Sequence, residues 1–273
     1  MADTPQRMEM APPRAAWLAA AAHRRSRRSF EDRPVDAATL DSLTRTCAHW
    51  RPYPDARVVL VADPDVDVFT GIIGSYGRVT GAPHLLLFIA DERSPNADQH
   101  LGYAGEGVIL EATHLGLETC WVAGFFSARK TRGLVELAPG ERIHAVSPLG
   151  HALVRDSRNE RVMASLAHAR KRKSVAEITH GADLSAWPGW AIAALECVRL
   201  APSAMNRQPW RFRFEGGGLI ATKDSPREVP KVTKRLDIGI AMLHAELGAA
   251  GAGVLGSWTD LKGVDCARFD PVG

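Results

Sequence analysis

Residues 101–121 read LGYAGEGVILEATHLGLETCW, and residues 238–258 read IGIAMLHAELGAAGAGVLGSW. Set over each other without gaps, Gly102 falls on Gly239, Ala104 on Ala241 and Leu110 on Leu247. Ala112 then falls on Ala249, Gly116 on Gly253 and Trp121 on Trp258. The shared grammar is a glycine, an amphipathic helix, a glycine at its end, and a strand finishing in tryptophan. Two copies are too few for a solenoid, so the pattern predicts two similar halves about a pseudo-twofold axis.

Outward from this pair, the first half reads as helices at about 13–25 and 36–48, the second opened by Asp36. RVVLVA (57–62) and HLLLFIA (84–90) follow as buried strands, then a helix at about 101–116 and a strand at 142–150. The second half reads as a helix at 188–200, paired strands around the EGGG turn (215–218) and a helix at about 236–249. Residues 1–12 carry two prolines, Pro5 and Pro12, and read as a loose tail. The expected division is a first half over 13–180 and a shorter second half over 181–273.

The chain has 273 residues, 45% hydrophobic and 24% charged, which is ordinary for a folded domain with a substantial core. A net charge of +3 does not by itself imply a polyanionic partner. Four cysteines, at 47, 120, 197 and 266, form no CxxC pair, so neither a zinc site nor a disulfide framework is expected. SRRSF (26–30) mimics an export signal, but its arginines follow the apolar run instead of preceding it. The expectation is a cytoplasmic protein with no membrane span.

Two segments carry the polar chemistry. HRRSRRSF (23–30) puts Arg24, Arg25, Ser26 and Arg28 at a helix exit, a good environment for a phosphate. The alternative is a solvated basic surface or nucleic-acid patch, and ARKRKS (169–174) has the same two readings. No aromatic residues interleave as a stacking platform requires. APSAMNRQPW (201–210) contains no nucleophile system, and its Asn206 and Gln208 suit the edge of a heterocycle. Its other reading is a stiff loop with Trp210 in the core. HExxH, GxGxxG and P-loop spacings are absent, and neither a metal ligand set nor a side-chain catalyst is assigned.

Taken together, RRSRRSF with RPV (33–35), the 101–121 stretch, PLG (148–150) and APSAMNRQPWRF resemble the FMN-dependent nitroreductase superfamily, over roughly residues 20–260. The two polar segments lie on different halves, which is similar to the branch whose duplicated chain folds as an internal pseudo-dimer. The resemblance implies an α+β fold, mixed sheets flanked by helices, two similar halves and one FMN per chain. It places Arg24, Arg25, Ser26, Arg28, Arg170 and Arg172 around the phosphate and pyrimidine edge. Pro202, Ser203, Ala204 and Asn206 would line the ring from the opposite half, with Ser75 and Arg78 at its pyrimidine end. The backbone amides of Ala123 and Gly124 would approach its reactive nitrogen, although many relatives have Glu where Ala123 stands. The implied activity is ping-pong transfer from NADPH or NADH to a small electron-poor acceptor. The expected partners are small molecules, not nucleic acid, and the chain is expected to be monomeric because it forms its own pseudo-dimer. The alternative is an FMN-binding or FMN-sequestering protein without turnover.

Overall fold

The computed structural model describes residues 11–70, 79–153, 171–228 and 233–272. Most of the proline-bearing tail lies outside them. Two helices form the centre: α3 (Ala97–His114) and α7 (Lys234–Gly251). Each is buried over nearly its whole length, with no solvent-facing stripe of the kind a surface helix carries. Ala and Gly recur along both, and small side chains let two backbones cross closely.

The crossing is reciprocal. A Cβ built on Gly102 would sit 2.1 Å from the Leu236 carbonyl oxygen, with Ile240 next along. One built on Gly239 would sit 1.9 Å from the Gln99 carbonyl oxygen, with Tyr103 next along. The offset that carries Gly102 onto Gly239 also carries Gln99 onto Leu236 and Tyr103 onto Ile240. Each residue therefore meets the counterpart of the residue that meets its own counterpart, the signature of a twofold contact.

A four-stranded sheet belongs to each helix. The first contains β1 (Ala56–Ala62), β2 (His84–Asp91), β3 (Glu118–Thr119) and β4 (Glu141–Gly150), in the order β1-β2-β4-β3. The second contains β5 (Trp210–Glu215), β6 (Gly218–Lys223), β7 (Gly256–Asp260) and β8 (Asp265–Pro271), in the order β5-β6-β8-β7. All pairings between these strands are antiparallel, and the register shifts at corresponding places, Phe88/Ile89 in one sheet and Ala221/Thr222 in the other. The parallel component of the first sheet is an isolated bridge between Ser26 and Thr119.

The flanking helices are α1 (Arg14–His23), α2 (Ala37–His49), α4 (Ala128–Arg132), α5 (Val175–Ile178) and α6 (Gly189–Val198). Asp36 caps α2 by accepting from the Thr39 amide, as its position before the apolar periodicity predicts. One hydrophobic core joins Trp17, Leu43 and Phe88 to Trp210, Phe212 and Phe269, so both sheets close on the α3–α7 pair.

Neither tryptophan ends a strand. β3 is two residues long and stops before Trp121, whose ring turns inward to stack on Phe88 at 4.0 Å. Trp258 stands in the middle of β7, tilted against Phe269. The conformation of each segment follows the ring's burial rather than the shared spacing.

Candidate functional site

The arm begins where α1 ends. Arg24 leaves the helix with φ −51° and ψ 130°, and the chain runs extended from there. The Arg27 amide donates to the Thr119 carbonyl at 2.9 Å, the Thr80 amide to the Arg28 carbonyl at 2.8 Å, and the Leu153 amide to the Ser29 carbonyl at 3.0 Å. The arm is thus stitched onto the margin of the first sheet. Arg24 is buried, Arg28 half-buried, and Arg25 and Ser26 exposed. Arg24 Nη1 donates to Ser26 Oγ at 3.4 Å, while its buried Nε has no hydrogen-bond partner. Burial lowers the Arg24 pKa, with Glu106 acting against that shift.

The loop follows α6. Pro202 is buried, Ser203 and Ala204 are half-buried, and a short 3-10 turn covers Ala204–Asn206. Met205, Asn206 and Gln208 have φ of 52°, 53° and 48°, left-handed values uncommon for residues other than glycine. Three in one short stretch mark a conformation imposed by the surroundings. Asp237 on α7 supplies part of that restraint, accepting from the Ala204 amide at 3.0 Å and from Arg207 Nε at 2.7 Å. Burial pushes the Asp237 carboxyl up to about 6 despite the Arg207 cation. Ser203 Oγ accepts from the Gln208 amide at 2.9 Å.

The side-chain amides of the loop are engaged by the basic segment. Asn206 Nδ2 donates to the Lys171 carbonyl at 2.8 Å, and Gln208 Oε1 accepts from the Lys173 amide at 2.8 Å. Lys173 Nζ in turn donates to the Gln208 carbonyl at 2.9 Å. In this structure both amides are thus tied to Lys171–Lys173.

Arg172 joins the two motifs. Its Nη1 donates to Asn206 Oδ1 at 2.7 Å. Burial, reinforced by repulsion from Arg24 and Arg25, pushes its pKa down to about 10. Arg24 and Arg25 on the arm, Arg172, and the left-handed loop therefore meet at one cationic recess. Glu118 is the carboxylate facing Arg27, Arg24 and Arg25, and burial raises its pKa in spite of them. Guanidinium groups crowded in a partly dry recess suit a bound dianion, because each gains more from an anion there than in water.

Ala123 and Gly124 follow Trp121 on a segment held by the reciprocal Val122–Val146 bridge. Ala123 is half-buried, and Gly124 is exposed with φ 89°. Ser75, Arg78 and Arg170 lie outside the described residues. A cavity of about 450 Å³ lined by Val68, Phe69, Val79 and Thr80 borders the arm at Thr80. Among the described residues no group of three or more His, Cys, Asp or Glu is arranged to hold a metal ion, and no helix is long and apolar enough to cross a membrane.

Glu106 and Asp237 escaped the sequence reading. The available signal was a charged or titratable residue inside an otherwise apolar buried helix, where it must be paired.

A family model described as "Putative TM nitroreductase" matches residues 18–249. A putative nitroreductase from Thermotoga maritima MSB8 is 20% identical, with 98% of this chain and 96% of that one covered at a TM-score of 0.58. A nitroreductase family protein from Clostridium difficile 630 is 20% identical over 60% of this chain and 95% of its own, at a TM-score of 0.43. A nitroreductase with bound FMN from Bacteroides fragilis NCTC 9343 is 16% identical over 52% of this chain and 92% of its own, at 0.40. No curated protein matches the chain.

Proposed function

Since the chain belongs to the TM nitroreductase family, we propose that it is an FMN-dependent oxidoreductase. It passes electrons from NADH or NADPH to a small electron-poor acceptor, such as a nitroaromatic or quinone, using one pocket in alternation. The observation that carries the reading is the meeting of Arg24, Arg25 and Arg172 beside Asn206.

The recess fits the phosphate end of this cofactor. It gathers guanidinium groups, and burial, reinforced by repulsion from Arg24 and Arg25, lowers the Arg172 pKa. FMN supplies the hydride-accepting and hydride-donating chemistry. The chain's residues bind and orient: Arg24, Arg25, Ser26, Arg28, Arg170 and Arg172 hold the phosphate and pyrimidine side. Pro202, Ser203, Ala204 and Asn206 face the ring from the second half. The Ala123 and Gly124 amides, with Ser75 and Arg78, complete the surround. With one arm and one loop, a single chain carries one cofactor and works as a monomer, its two halves serving as the two subunits of a pseudo-dimer.

The test is the visible spectrum of the purified protein before and after anaerobic addition of NADPH or NADH. A yellow protein that bleaches supports the reductase reading. One that stays yellow supports FMN binding without turnover. A colourless protein that takes up no added FMN overturns the assignment.

A further inference from the structure

Glu106 lies at the centre of α3, completely buried, and three parts of the site close on its carboxylate. From the arm, Arg24 Nε stands 3.9 Å from Oε1. From the segment leading to Ala123 and Gly124, Trp121 Nε1 donates to Oε2 at 2.8 Å. From the second half, His244 Nε2 on α7 meets Oε1 at 3.0 Å. His244 Nδ1 in turn lies 3.8 Å from Cys197 Sγ on α6, the helix that runs into the Pro202–Asn206 loop. Burial disfavours charge on His244, but the contacts with Cys197 and Glu106 raise its pKa to about 9. A buried carboxylate held between two cations and an indole N–H has little freedom to move.

We propose that Glu106 is a positioning residue that sets the register of the cofactor site across the two halves, through Arg24, Trp121 and His244. It touches neither FMN nor acceptor in this arrangement. It fixes where the arm leaves α1 and where Trp121 turns, and ties both to the helix pair carrying the loop. The inference rests on the FMN reading for its ligand, but not for its geometry.

Glu111 supplies the control. It lies five residues further along α3, also buried, and accepts from the Trp17 indole at 2.7 Å. Glu106→Gln and Glu111→Gln each weaken one buried indole–carboxylate contact, and only the first touches the arm. FMN affinity is measured by fluorescence titration, and amide hydrogen exchange is followed in the protein without FMN. Glu106→Gln is expected to weaken FMN binding roughly 10- to 100-fold, and Glu111→Gln less than about threefold at a similar loss of Tm. Exchange at the Arg27, Phe30 and Val122 amides should rise in the first variant alone. Trp121→Phe keeps an aromatic ring against Phe88 and removes the indole donor with part of the ring, so it should weaken binding severalfold if Glu106→Gln does not fold. Equal FMN affinities and equal exchange in the two glutamine variants would overturn the proposal. If the unaltered protein binds no FMN, the assigned function fails while the exchange comparison still decides the role of Glu106.

Discussion

His100 and Asp237 occupy equivalent positions on the two central helices, related by the offset that carries Gly102 onto Gly239, and each holds the loop of its own half. Asp237 accepts from Ala204 and Arg207. His100 reaches Asp55 through Nδ1 at 2.8 Å and Asp260 of the other half through Nε2 at 2.7 Å, with Tyr53 stacked on its ring at 3.9 Å. The two halves thus share the task of loop anchoring and differ in its chemistry. In the second half the anchor sustains a loop with three left-handed residues, Met205, Asn206 and Gln208. In the first half, Tyr53 and the paired carboxylates occupy the corresponding place.

Replacing Asp237 by alanine leaves the Ala204 amide without its side-chain acceptor and removes the carboxylate partner of Arg207, which also donates to the Thr233 carbonyl. Removing one partner of a buried pair typically costs about 3–5 kcal/mol. Released, the left-handed residues Met205, Asn206 and Gln208 relax toward ordinary backbone conformations. Limited proteolysis within 203–208 should accelerate and FMN affinity should fall roughly 10- to 100-fold, the equivalent of about 1.4–2.8 kcal/mol. Unchanged proteolysis would show that the loop is held by Lys171–Lys173 alone.

The cationic recess predicts a specific response to anions. Arg172 is held near Arg24 and Arg25, so a phosphate or FMN that binds the folded state stabilises it by mass action. Thermal unfolding at constant ionic strength should shift upward in phosphate relative to chloride. Arg172→Ala removes repulsion and one charge-assisted donor, worth about 1.5–3 kcal/mol when the anion is bound. It should leave the anion-free Tm unchanged or higher, shrink the phosphate-induced shift, and weaken FMN about 10- to 100-fold. An undiminished shift would place the anion elsewhere.

The helix crossing predicts steep intolerance at two glycines. Gly102→Ala and Gly239→Ala each drive a methyl into a carbonyl oxygen of the facing helix, where only backbone movement makes room. Overpacking of this kind costs about 1–3 kcal/mol or more. Gly251→Ala meets the Leu18 Cδ2 methyl at 2.7 Å, which a rotamer change relieves. Denaturant unfolding should rank the first two far below the third. Near-equal stabilities would mean that the helices separate without difficulty.

These comparisons show which parts of the molecule were legible in the sequence. The repeat announced itself through Gly102 and Gly239, because a close backbone crossing demands glycine whatever surrounds it. The arm and the loop were legible as motifs, since runs of arginine or of Pro, Asn and Gln are rare in packed elements. The start of α3 was not, because Ala97, Asp98, Gln99 and His100 read as a polar connection before an apolar helix. Their polarity is used between the halves: Gln99 donates to Asp260 at 2.7 Å and accepts from Arg235 at 2.9 Å. Glu106 and Asp237 were likewise hidden, because the partner of a single titratable residue depends on which helix crosses its own. No local pattern encodes that crossing.

His100 makes the interface between the halves sensitive to pH. Burial opposes its charge, yet the hydrogen bonds to Asp260 and Asp55 raise its pKa from the ordinary 6.5 to about 9. The folded state therefore binds a proton more tightly than the unfolded chain does. The resulting stabilisation is present in full below pH 6.5 and is lost as pH rises through about 9. At about 1.36 kcal/mol per pKa unit, the decline between pH 6.5 and 9.5 is on the order of 1–3 kcal/mol. His244 shifts in the same direction and adds to it. Denaturant unfolding across this range should show the decline in the unaltered protein and a shallower one in His100→Gln, with the remaining slope removed by His244→Gln. An NMR titration of the His100 ring gives a direct reading: Asp260→Asn should lower its midpoint. A midpoint of 6.5 in the unaltered protein would mean that the two carboxylates do not hold the ring in its charged form.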